Sequence, residues 1–93
     1  MAGINKVILV GHLGKDPEVR TFENSSDPTR PIKKATFTLA TTETKRNKDG
    51  QKTDVTEWHN IVLWRGLAEI AEKYLRKGQL VYLEGKIRSR TYE

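Results

Sequence analysis

Trp58 and Trp64 stand six residues apart in the run Glu-Trp-His-Asn-Ile-Val-Leu-Trp, residues 57–64. Side chains alternate across a strand, so an even spacing sends both indoles out of one face while Ile61 and Leu63 leave the other. Tryptophan is highly buried on average, and two such rings can simply be core. Here the opposite face already supplies apolar residues for a core, which leaves the rings free to stack on planar partners. A second alternation lies near the C-terminus, where Lys86, Arg88, Arg90 and Tyr92 share one face of an extended segment. Alternating charge is usually a solvated face, but cations interleaved with a ring also combine phosphate neutralisation with base stacking. Four more cations, Lys45, Arg46, Lys48 and Lys52, surround the hairpin-tip signal Asp49-Gly50.

Other chemistries find no matching residues. A hydrolase needs an activated nucleophile, and neither His12 nor His59 is placed to assist Ser25, Ser26 or Ser89. The chain therefore reads as a binder and not an enzyme. Neither histidine has a second ligand type at metal spacing, so no metal or other cofactor is expected. Asn47, Asp49 and Gly50 have part of a calcium-loop spacing, but its first and twelfth ligands would be Lys45 and Thr56. The Gly11-His12-Leu13-Gly14 stretch has the form of a backbone-clamping GxxG, yet it follows a strand where that loop joins helices.

The elements that must position these residues fit one domain, residues 1–93, with no repeat or linker dividing it. A chain this short buries about 60–65 % of its unfolded surface, enough for a single small core. Cysteine is absent, so the disulfides of small secreted domains are excluded and a reducing, cytoplasmic home is expected. Mean hydropathy is −0.68 and no long apolar run suggests a membrane span or signal peptide. Lysine plus arginine number 17 against 12 acids, a net charge of +5 that favours a polyanionic partner. Residues 30–52 carry the excess.

Residues 6–10 predict a buried strand that bends at Gly11, and residues 18–22 continue it after the Asp16-Pro17 turn. Residues 24–31 are dense in turn formers and predict a loop. Residues 35–40 alternate, with Ala35, Phe37 and Leu39 on one face, and the strand at 57–64 follows the hairpin tip. After Gly66, the residues Leu67, Ile70, Ala71, Tyr74 and Leu75 recur at helical spacing as a core stripe, with Gly78 as the C-terminal stop. A last strand runs from Leu80 to about Tyr92, with Val81, Leu83, Ile87, Ser89 and Thr91 on its buried face. Four long strands and one helix in this order predict an all-β fold with one helix: a five-stranded Greek-key barrel of the oligonucleotide-binding type (OB-fold). The strand that would close the barrel is missing before Glu93, so either more chain or another subunit is expected to cover the open edge.

Three passages resemble the bacterial single-stranded DNA-binding protein family: Asn5-Lys6-Val7-Ile8-Leu9-Val10-Gly11 through Asp16-Pro17-Glu18-Val19-Arg20, then Thr56-Glu57-Trp58-His59, then Tyr74-Leu75-Arg76-Lys77-Gly78 through Glu84-Gly85. The resemblance implies an OB-fold, a homotetramer, no catalysis, and binding of single-stranded DNA with little sequence preference during replication, recombination and repair. It places the protein in the cytoplasm, associated with the nucleoid. It puts stacking rings at Trp58, Trp64 and Tyr92, and puts His59 near a subunit interface. Where many members carry a fourth ring, this chain has Lys45. The segment between Phe22 and Lys34 is longer than the family's compact turn. The flexible linker and acidic tip, through which members recruit replication and repair proteins, do not occur before Glu93. Two other readings remain open at this point: a primosomal replication protein of related fold, and a protein-interaction module on the same barrel.

Overall fold

In a computed structural model of the chain, residues 2–24 and 26–88 are described. Five strands and one helix follow in the order β1 (Val7–Leu13), β2 (Glu18–Phe22), β3 (Ile32–Arg46), β4 (Lys52–Trp64), α1 (Gly66–Tyr74) and β5 (Leu80–Gly85). All pairings are antiparallel, so every strand can present one face inward and one outward. β3 organises the sheet. One of its edges pairs with β4 from Lys34↔Trp64 to Arg46↔Lys52, and its other edge pairs first with β2 and then with β1. β1 carries β5 on its far side. The outer edges of β4 and β5 do not meet, and among the described residues the OB barrel stays open there.

Several elements differ from the sequence expectation. The first two apolar runs are separate strands that both pair with β3, giving five strands where four long ones were expected. β1 does not stop at Gly11 but runs through it to Leu13. A Cβ at Gly11 would lie 2.2 Å from the carbonyl oxygen of Ala40, so glycine permits the close approach of β1 to β3. β3 and β4 extend well beyond residues 35–40 and 57–64, because their ladder continues into a two-stranded arm past the core. At its tip Asn47 Oδ1 accepts from the backbone N–H groups of Asp49 and Gln51, and Gly50 turns with φ 77°. The arm gives a longest dimension of 61 Å and a radius of gyration of 17.0 Å, against about 12 Å for a compact chain of this length.

Leu13, Phe37 and Leu39 form the core, flanked by Leu9, Ile61, Leu63 and Leu83. The helix joins it through Ala68 and Ala71 against Ala35, where small side chains let the helix lie close to the sheet. The expected stripe is therefore wrong in phase: Leu67, Ile70 and Tyr74 are exposed, while Ala71 and, in part, Leu75 pack inward. The helix also ends at Tyr74, four residues before Gly78. Arg76 supplies the stop, its Nη1 donating to the carbonyls of Glu72 and Leu75 at 2.9 and 2.7 Å. β5 ends at Gly85, so the expected strand to Tyr92 is cut short and Ile87 is exposed. Beyond it Asn5 acts as a peptide mimic, donating from Nδ2 to the Ile87 carbonyl at 2.8 Å and accepting from the Ile87 N–H at 3.0 Å. Ser25, Ser89, Arg90, Thr91 and Tyr92 lie outside the described residues.

Candidate nucleic-acid interface

The ladder of β3 and β4 sets out one continuous outer face. Cross-strand partners share a face, so Ala40 and Trp58, Thr38 and Asn60, Thr36 and Val62, and Lys34 and Trp64 lie in successive rows. β2 widens the same face, bringing Arg20 opposite Lys34 and Glu18 opposite Thr36. The inward face of these rows is Ala35, Phe37, Leu39, Ile61 and Leu63, which fixes the parity of the whole sheet. Trp58 and Trp64 are accordingly 60 % and 51 % exposed, and neither is core. Six residues of strand separate them by about 20 Å, room for several nucleotides.

Between the two rings lies a groove of about 470 Å³ whose lining includes Thr36, Thr38, Asn60 and Val62, with Lys15 and Arg88 among its walls. Hydroxyl and amide groups form its floor and two cations border it, a lining suited to sugar and phosphate. Trp64 is held by two neighbours: Phe22, with ring centroids 6.5 Å apart and planes tilted by 38°, and Lys34, whose Nζ sits 5.4 Å from the ring centroid. Trp58 lies over Gly14 and Thr38.

The expected cations are divided by this geometry. Arg46 and Lys52 are opposite each other and share the tryptophan face of the arm, and Lys48 stands at its tip. Lys45, opposite Thr53, is on the other face and is not brought together with them. Arg88, in the coil after β5, lines both the groove and a second cleft of about 430 Å³ between the open edges of β4 and β5, whereas Lys86 lines only the second, where Trp58 also forms part of the wall. His59 points away from the tryptophan face, its Nε2 hydrogen-bonded to Thr41 Oγ1 at 2.9 Å, and borders that second cleft. Lys15, Arg20, Phe22 and Lys34 were not foreseen. Arg20, Phe22 and Lys34 had a signal, since they alternate with inward Val19 and Ala35, but Lys15 reaches the face only through the turn after β1.

Two shifted groups lie outside the groove. Lys33 holds its proton more tightly than an ordinary lysine because its Nζ donates to Glu72 Oε1 at 3.0 Å and feels that carboxylate's charge. The Tyr82 phenol is raised chiefly by its hydrogen bond to Glu84. Among the described residues no group of three metal-ligating side chains converges, and no helix is long and apolar enough to cross a membrane.

The chain is similar to proteins with the same architecture. The model described as the single-strand binding protein family matches residues 4–93. Two curated relatives, each a single-stranded DNA-binding protein, come from Neisseria meningitidis serogroup A (serotype 4A) and serogroup B, and both are 52 % identical over 90 residues. The match covers 97 % of this chain and 48 % of each relative, so the chain spans about half the length of the curated relatives it matches. A solved Plasmodium falciparum SSB complex with ssDNA aligns at a TM-score of 0.84 and 32 % identity, over 100 % of this chain and 77 % of that one. A deletion mutant of the single-stranded DNA binding protein from Thermus aquaticus aligns at 0.79 and 28 % identity, over 98 % of this chain and 42 % of that one. With the family model matched over residues 4–93 and the relatives 52 % identical over nearly all of it, the chain belongs to the single-strand binding protein family.

Proposed function

We propose that this chain binds single-stranded DNA with little sequence preference and without catalysis, serving replication, recombination and repair in the cytoplasm beside the nucleoid. The observation that carries the reading is the placement of two exposed indoles about 20 Å apart on one face, with a groove bordered by cations between them. Bases stack on Trp58 and Trp64, and every base has a π-face to offer, so stacking tolerates any sequence. Phosphates meet Lys15, Arg88, Lys34 and Arg20 beside the groove and Arg46, Lys52 and Lys48 along the arm. Lys45, Lys86 and the residues Arg90 and Tyr92 belong to the same proposal, as a second line of contact for a strand that wraps the arm or the open edge.

Titrating intrinsic tryptophan fluorescence with oligothymidylate tests it. Binding is expected to quench both indoles, and no change at saturating oligonucleotide would refute stacking. Replacing both tryptophans by alanine is expected to cost about 2–6 kcal/mol of affinity with the fold retained, because neither ring is core.

Self-association, as a homotetramer, has a separate support. Ile8 and Val10 of β1 and Leu80 and Tyr82 of β5 form an exposed apolar face on the outside of the β1–β5 ladder. His59 is kept as an interface residue at the open edge of β4. Sedimentation of the protein, with and without Val10→Asp, tests this assembly: a wild type that remains monomeric would refute it.

A further inference from the structure

We propose that Gly14 is a positioning residue for Trp58, a glycine whose role is to seat the indole rather than to fold the chain. The inference rests on the stacking role proposed above. Gly14 follows β1 directly and its N–H donates to the Thr38 carbonyl at 2.9 Å, which fixes its backbone against β3. A Cβ on Gly14 would fall 2.4 Å from Cζ3 and 3.1 Å from Cη2 of Trp58, and 2.7 Å from Oγ1 of Thr38. The six-membered ring of the indole thus lies against bare glycine backbone, with the Thr38 side chain beside it. Backbone on one side limits the ring's rotation while the indole as a whole stays 60 % exposed to a partner. A ring already held in its stacking orientation loses less freedom when a base arrives.

The backbone itself does not call for glycine here. Only Gly50 and Gly78 among the described glycines have positive φ, so alanine at position 14 meets no conformational penalty. The three atoms nearest to its Cβ all belong to side chains, and the conflict is relieved by moving the Trp58 ring and Thr38. Gly11 is the contrasting case: its added Cβ would meet the backbone oxygen of Ala40, which cannot move without parting β1 from β3.

The test compares wild type, Gly14→Ala, Trp58→Ala and the double variant, using labelled oligothymidylate anisotropy so that the readout is independent of tryptophan. Trp58→Ala is expected to weaken binding about tenfold and Gly14→Ala about fivefold. In the Trp58→Ala background, Gly14→Ala is expected to change affinity by less than about twofold, because the ring it displaces is gone. With Trp64→Phe as background, Gly14→Ala is also expected to shift the emission maximum of Trp58 in the free protein. A purely structural glycine would instead weaken both backgrounds by the same factor, and that result would overturn the inference. So would a Gly14→Ala protein that binds like wild type, or one that fails to fold. An affinity indifferent to Trp58→Ala would overturn the stacking reading and this inference together.

Discussion

Among the described residues six cations stand on the tryptophan face, apart from Lys48 at the tip of the arm, and their salt signature can be stated in advance. Lys15 and Arg88 border the groove, Arg20 and Lys34 share the row of Trp64, and Arg46 and Lys52 face the same way along the arm. If each neutralises one phosphate, log affinity falls against log salt with a slope of about −4, since single strands contribute about −0.7 per contact. Between 50 and 200 mM salt that is roughly a 300-fold loss. Arg46→Ala removes one contact, so its slope is expected to be shallower by about 0.7, a two- to threefold smaller loss over the same range. Lys45→Ala changes the net charge equally but from the opposite face of the arm, which a strand reaches only by wrapping it, and its slope is expected to flatten by less than half as much as that of Arg46→Ala. The assay is the dissociation constant of an unstructured oligothymidylate by anisotropy at several salt concentrations for the three proteins. Equal flattening by both variants would show that the strand uses the two faces of the arm alike and would refute the assignment by strand parity. A salt-independent wild type would refute the nucleic-acid reading and favour a protein-interaction module.

Arg65 sits at φ 57° and ψ −120° between β4 and α1, a conformation that side chains rarely adopt. Arg65→Gly is expected to add about 1 kcal/mol and to raise Tm by about 4–8 °C, and a lowered Tm in a thermal melt would refute the strain argument. Gly11→Ala is expected to destabilise the fold by about 1–3 kcal/mol in urea unfolding, because the added Cβ meets backbone; an unchanged midpoint would show that β1 can move away from β3 at no cost. Lys33 and Tyr82 both have raised pKa values, so the fold holds protons that the unfolded chain releases. The stabilisation is whole at neutral pH and is lost as pH rises past the ordinary values of 10.5 and 10.0. Tyr82 is exposed and Lys33 only half-buried, so solvent screens both pairs and the alkaline decline is shallow. Urea midpoints between pH 8 and 11 are expected to fall less for Glu72→Gln and Glu84→Gln than for wild type, and equal falls would refute the pairing.

What the sequence could reveal depended on whether burial left a mark on it. Residues 35–40 alternate because one face meets the core, and the alternation gave both the strand and its parity. Residues 41–46 and 52–57 have solvent on both faces, so no apolar period marks them. Their ladder continues by backbone pairing, with cross-strand contacts such as Thr44 Oγ1 to Asp54 Oδ1 at 2.9 Å. The helix misled for the opposite reason. Its large apolar residues, Leu67, Ile70 and Tyr74, have the right spacing, but the contact with the sheet is made by Ala68 and Ala71, because closeness of packing decides the buried face and size does not.

The same distinction separates the two halves of the site. The indoles were legible because a single strand fixes them: an even spacing puts both on one face whatever that strand pairs with. The groove between them was not, since Lys15, Thr36, Thr38 and Arg88 come from different segments and meet only through register and the turn after β1. A one-residue slip of β3 against β4 would carry Lys34 and Thr38 to the core side and bring Phe37 out opposite Asn60 or Val62, between the two rings. Phe37 is 2 % exposed, so that slip would cost the burial of the largest core side chain, about 3–5 kcal/mol by comparison with its removal. The core therefore holds the register. The placement of cations beside the rings is a consequence of what Phe37, Leu39 and Ile61 bury on the opposite face of the same strands.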